Sequence, residues 1–142
     1  MKKIIMVLSF AVAGCASTGP KQELPSYQPK PTITQGINDV TYWAPVIKVP
    51  PRYPDGALKS GVEGCAQIGF TITSEGTVVD PFVIKSFPKR TFDRSSAEAA
   101  LKFKYKPSET NKNNEPVISS NIFTYSLSGG ANAYERLAAK CK

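Results

Sequence analysis

Few side chains in this sequence are suited to catalytic chemistry, and one type is missing. The chain of 142 residues contains no histidine, which removes the commonest general base and metal ligand of neutral pH. Serine–histidine and cysteine–histidine nucleophiles are excluded with it. Three cysteines remain: Cys15, Cys65 and Cys141. Asp80, Asp93 and Glu98 are explained by their surroundings as a strand polar position, a helix start and a solvated helix face. No metal set, no cofactor cradle and no catalytic residue emerges, so the sequence points to binding and away from an enzyme.

Cys15 has the most specific setting. Met1-Lys2-Lys3 precedes a mostly apolar run over residues 4–13. Ten helical residues span about 15 Å, roughly half a bilayer core, so the run reads as a signal peptide and not as a transmembrane helix. Val12-Ala13-Gly14-Cys15 resembles the bacterial lipobox. That resemblance implies removal of residues 1–14, a diacylglycerol on the Cys15 sulfur and membrane attachment through it, palmitate being a suitable acyl chain. Ala16 is not the inner-membrane retention aspartate of enteric bacteria. The implied address is the periplasm of a Gram-negative bacterium, anchored to the outer membrane, with the inner membrane as the alternative. An ordinary or uncleaved leader with a chance cysteine is the competing reading. Cys65 and Cys141 are then left in an oxidising compartment and read as one disulfide, with two buried free thiols as the alternative.

The elements that would position a binding surface divide into tail and body. Seven of the twelve prolines fall between Pro20 and Pro51, so residues 15–49 read as a lipidated, proline-rich tether. Its Tyr42-Trp43-Ala44-Pro45-Val46 stretch is apolar enough to pack on the body as an arm. The net charge of +7 is spread over scattered lysines. The Lys102, Lys104, Lys106 alternation suits the C-terminal end of a helix, so nucleic acid is not an expected partner.

The body, residues 50–142, opens with a short helix over 54–60. Residues 65–73 alternate, with Ala66, Ile68, Phe70 and Ile72 on one side, as in a half-buried strand. Ser74-Glu75-Gly76 turns into a second strand over 78–86, which Pro81 marks as an edge or a bulge. A helix over 92–103 follows, capped by Thr91 or Asp93, then a polar loop and a third strand over 117–127. A last helix over 132–141 places Tyr134, Leu137, Ala138 and Cys141 on one face. The expected fold is α+β: a small three-stranded antiparallel sheet (β-β-α-β) with helices on one face plus a C-terminal helix.

Several of these segments carry motifs in a familiar order. Pro50-Pro51-Arg52-Tyr53-Pro54, Ala57, Gly61-Val62-Glu63-Gly64, Phe70, Gly76, Val83, Ser86, Phe92-Asp93 and Phe103-Lys104-Tyr105-Lys106-Pro107 together resemble the C-terminal domain of the TonB family. The resemblance implies capture of an extended receptor segment, the TonB box, as an added strand. By family strand order the receiving edge is the third strand, here Val117, Ile118, Ser119, Ser120, Asn121, Ile122, Phe123, Thr124 and Tyr125. Arg52, Tyr53 and Pro54 would touch the receptor plug.

A typical family member also has a transmembrane helix coupled to an inner-membrane motor and a longer spacer. The expectation is therefore a lipid-anchored, periplasmic interaction module for an outer-membrane receptor or another envelope protein. The alternatives are a scaffolding lipoprotein without a transport role and a conventional TonB energy transducer with an uncleaved anchor. Open strand edges leave a homodimer open.

Overall fold

The computed structural model describes residues 26–28, 30–130 and 132–142. Cys15 and the leader lie outside them. The chain runs β1 (Ile33–Thr34), β2 (Trp43–Ile47), α1 (Asp55–Lys59), β3 (Gly64–Ile72), β4 (Val78–Phe87), α2 (Asp93–Ala100), β5 (Lys104–Pro107), β6 (Val117–Tyr125) and α3 (Ala133–Ala138). The main sheet has the order β1-β6-β3-β4, and β2 and β5 form a second, two-stranded sheet. The α+β class and the antiparallel β3, β4 and β6 agree with the expectation, and β1, β2 and β5 are added to it.

β3 is the central strand because it is apolar enough to be covered on both faces. Ala66, Ile68, Phe70 and Ile72 meet Phe92, Ala99, Ala100, Phe103 and Phe123 in the main core. The opposite side, expected to be polar and wet, is buried as well: the Phe82 ring lies so close over Gly69 that a Cβ there would be 2.3 Å from it. Further along that face, Cys65 joins Ile122, Ala138 and Cys141 in a second apolar cluster. Cys65 and Cys141 are bonded, with their Cα atoms 6.1 Å apart, so α3 lies on the face opposite α2. Tyr134 does not share the docked face of α3, being exposed while Leu137 and Ala138 are buried.

The β3–β4 hairpin turns at Gly76, whose φ of +75° is a left-handed conformation that glycine adopts without a Cβ penalty. The register of β3 on β4 shifts twice, between Gln67 and Ile68 and between Gly69 and Thr71. Asp80 at positive φ and Pro81 fall beside the second shift, so the outer strand is bent away from further pairing. Neither Thr91 nor Asp93 caps α2: its N-cap is Phe92, with no side-chain hydrogen bond.

Two sequence expectations are corrected here. The Lys102–Lys106 alternation is not a helix end, because Lys104–Pro107 is strand β5, paired antiparallel with β2. Alternation with period two, half-burying Tyr105 between exposed lysines, is the physical sign of that. The residues from Ser26 to Val49 are not only a spacer, since they carry β1 and β2. Trp43 is 1% exposed in the main core, and its indole Nε1 donates to Glu115 O at 2.8 Å.

Candidate functional site

β6 lies between two neighbours. On one side it pairs antiparallel with β3 over its full length without a register shift, from Gly64↔Tyr125 to Ile72↔Val117. On the other side β1 runs parallel to it and matches only Ile33↔Val117 and Thr34↔Ile118, followed by a bond from Gln35 N to Ile118 O of 2.8 Å. Main-chain groups alternate sides along a regular strand. Since Ile118 faces β1, Ser120, Ile122 and Thr124 face the same way. None of the three has a backbone partner on that side among the described residues. The side-chain amide of Asn121 donates to Ile122 O at 3.1 Å, which covers one acceptor.

The side chains divide by face. Val117, Phe123 and Tyr125 are buried on the core side, where they support the strand, and Ser119 is buried on the same side. Ile118, Ser120, Ile122 and Thr124 lie on the side of α3, with Ile122 in the cluster around the disulfide. A cleft of about 200 Å³ opens at Ser119 and Ser120 and is walled by Gly36, Asp39, Val40, Pro45, Lys48 and Tyr105. Lys48 Nζ donates to Asn121 Oδ1 at 2.9 Å and stands over the Phe103 ring. Partial burial holds this ammonium below the ordinary lysine range by disfavouring its charged form. Burial pushes the nearby Tyr105 phenol up to about 12, so it stays neutral.

Gln35 holds the cleft's other wall. Its side chain is 2% exposed, yet every polar atom on it is occupied. Nε2 donates to Asp39 O and, at 2.9 Å, to Trp43 O. Oε1 accepts from the backbone N–H groups of Tyr42 at 3.2 Å and Trp43 at 2.8 Å. A buried amide this well satisfied fixes the chain from β1 to β2 in one path. Sequence reasoning missed Gln35, since a lone glutamine between a threonine and a glycine carries no signal of its own.

The Arg52-Tyr53-Pro54 motif meets the far end of the same strand. The Tyr53 ring packs edge-on against Tyr125 and Phe92, at centroid distances of 5.4 Å and 5.8 Å, and its hydroxyl donates to Val62 O at 2.7 Å. Tyr53 is therefore a structural strut. Arg52 reaches both Asp55 carboxylate oxygens at 3.1 Å on the rim of a cleft of about 470 Å³ that also includes Arg90 and Arg94. Glu63, quoted above only as part of a motif, organises the exit from β6. Its Oε1 accepts from Ser126 Oγ and from the backbone N–H groups of Leu127 and Ser128, and its Oε2 from Arg136. These donors, led by the Leu127 N–H, hold its carboxyl down at about 2.

Among the described residues no group of three or more His, Cys, Asp or Glu is placed to hold a metal. No described helix is long and apolar enough to cross a membrane.

Comparison with known proteins accounts for this arrangement. A family model for the Gram-negative bacterial TonB protein C-terminal domain matches residues 49–127. Protein TonB of Pseudomonas aeruginosa is 36% identical over 94 residues, covering 61% of this chain and 27% of that protein. Protein TonB of Xanthomonas campestris pv. campestris is 36% identical over 62 residues, 44% of this chain and 28% of the relative. The chain thus spans about a quarter of the length of these curated relatives. The solution structure of the P. aeruginosa TonB C-terminal domain superposes with a TM-score of 0.54 at 31% identity, covering 67% of this chain and 95% of that one.

The family is one of binding domains, and the chain is accordingly not an enzyme. One expectation is overturned. The relatives are TonB proteins, which are anchored in the inner membrane and present this domain to the periplasm. The outer-membrane anchorage inferred from Ala16 is therefore wrong. A one-residue sorting rule drawn from enteric bacteria was weaker than the relationship of the domain itself.

Proposed function

The chain belongs to the family of Gram-negative bacterial TonB C-terminal domains, and from that premise we propose that it captures an extended segment of an outer-membrane receptor or another envelope protein. The domain faces the periplasm from the inner membrane and serves TonB-dependent transport. The partner segment adds as a strand along β6, held by main-chain hydrogen bonds, with side-chain pockets choosing the sequence. The observation that supports this reading is the edge at Ser120, Ile122 and Thr124, which has no backbone partner among the described residues, with polar Ser120 and Thr124 keeping it from indiscriminate pairing.

Titration of residues 26–142 with a receptor peptide carrying a TonB box tests it by amide hydrogen exchange. Protection rising at Ser120, Ile122 and Thr124 as the peptide saturates is the expected result. Saturable binding with those amides unchanged would move the site elsewhere.

Two anchors suit this role. The curated relatives favour a TonB-type transducer whose residues 4–13 stay uncleaved. The Val12–Cys15 sequence favours removal of residues 1–14 and acylation of Cys15 at the same membrane. Palmitate incorporation that disappears in Cys15→Ala selects the second. Recovery of intact Met1 from the membrane-bound protein selects the first.

A further inference from the structure

The start of the β6 edge is already occupied, and the occupant is the chain's own N-terminal segment. We infer that β1 is a built-in competitor for the partner strand, which must displace it to pair along the whole of β6. The inference rests on the strand-addition reading of β6 and adds a closed state to it.

Three observations carry it. First, β1 does what a guest strand would do: it pairs with Val117 and Ile118 and satisfies Ile118 O through Gln35 N. Second, the segment is seated and not merely adjacent. Pro31 is buried, Ile33 packs against the main core and Ile37 packs against the cluster that contains Ile122. Third, the seat is short. Two register pairs and the bond from Gln35 N to Ile118 O hold it on β6, and most of the segment's side-chain bonds belong to Gln35 at its end. A short paired segment closed by one buried side chain opens locally without loss of the whole fold.

The competitor lies outside the family-matched residues 49–127, so a domain trimmed to those residues lacks the closed state. In the full chain, apparent affinity is reduced by the fraction of molecules in which β1 is unseated.

Two full-chain variants move that fraction in opposite directions. Ile33→Asp puts a carboxylate against the core and unseats β1 from Ile118 while leaving the Gln35 side-chain bonds to Asp39, Tyr42 and Trp43 in place. Thr34→Cys with Ile118→Cys joins register partners, which neighbouring strands hold about 5 Å apart, within disulfide reach. Mass spectrometry confirms the new bridge beside Cys65–Cys141. The probe is the TonB-box receptor peptide, read by calorimetry and by exchange at Ser120, Ile122 and Thr124.

Binding at least tenfold tighter for Ile33→Asp and at least tenfold weaker for the bridged variant, restored by reduction of its bridge, is expected. Equal affinities in all three proteins, with Ser120–Thr124 protected in each, would refute the competitor while leaving strand addition intact. Absence of β6 protection in every protein, including Ile33→Asp, would remove strand addition and the competitor with it.

Discussion

Trp43 gives the sharpest test of where the folding unit begins. It lies six residues ahead of the family-matched stretch, yet is 1% exposed in the main core. Truncating a buried aromatic to alanine costs about 4 kcal/mol in transfer and cavity terms. Loss of the indole donor leaves Glu115 O without the bond it accepts at 2.8 Å, adding about 1 kcal/mol. Trp43→Ala is therefore expected to cost about 5 kcal/mol, which at a urea m-value near 1.5 kcal/mol/M lowers the midpoint by about 3 M. Trp43→Phe keeps most of the bulk without the donor and is expected to cost about 2 kcal/mol.

The assay is urea unfolding of residues 26–142 followed by far-UV circular dichroism. Trp43 is the sole tryptophan, so the alanine variant has no indole signal, while in the unmutated chain fluorescence and dichroism should give one transition. A cost below about 1 kcal/mol, or a fluorescence transition at distinctly lower urea than the dichroic one, would refute the claim. The arm would then be docked on a domain that folds without it.

Glu63 sets an acid limit: its carboxyl sits at about 2 instead of the ordinary 4.5, so its contribution is complete above pH 4.5 and lost as pH falls through 2. The urea midpoint of Glu63→Gln should lie below that of the unmutated chain at neutral pH and converge with it towards pH 2; a gap that persists there contradicts the assignment. Replacing Cys65 and Cys141 together by alanine is expected to destabilise the chain by about 4 kcal/mol through the released loop, and an unfolding free energy that falls by less than about 1 kcal/mol would show that the bridge adds little. Gly76→Ala forces a Cβ to 2.1 Å from Tyr105 O at a φ of +75° and is expected to cost more than about 2 kcal/mol. A near-neutral result in the same urea assay would mean that the β3–β4 turn can relax away from β5.

The legible parts of the fold were those with strong periodicity. Ala66, Ile68, Phe70 and Ile72 alternate cleanly, and the glycine after Ser74-Glu75 fits the one conformation that its turn needs. β1 and β2 were hidden by their own composition, since Pro31 and Pro45 argue against strands wherever the neighbours are unknown. They persist because β1 is only two residues long and β2 pairs with a single strand, so an edge proline costs little. Tertiary pairing likewise decided β5, whose lysines read equally well as a helix end. At the candidate edge, the strand itself followed from β-branched and aromatic residues over 117–127, two residues beyond the end of β6 at Tyr125. Its resident neighbour did not, because pairing across more than eighty positions leaves no local trace. Gln35 and Glu63 have the same difficulty: their roles come from backbone groups that converge only once the chain is folded.

The bridge between Cys65 and Cys141 encloses 76 positions of sequence, and β6 lies inside that covalent ring. Under the proposed function, tension between a membrane anchor and a partner held on β6 would enter the ring at Cys65. With the ring folded, only the residues ahead of Cys65 straighten, and from Ser26 these reach roughly 130 Å; an unfolded ring adds no more than its shorter arm, from Cys141 back to β6. With the bridge broken, the path from Ser26 to β6 would reach roughly two and a half times that length. While the bond is intact the domain behaves as a strap with a fixed stop.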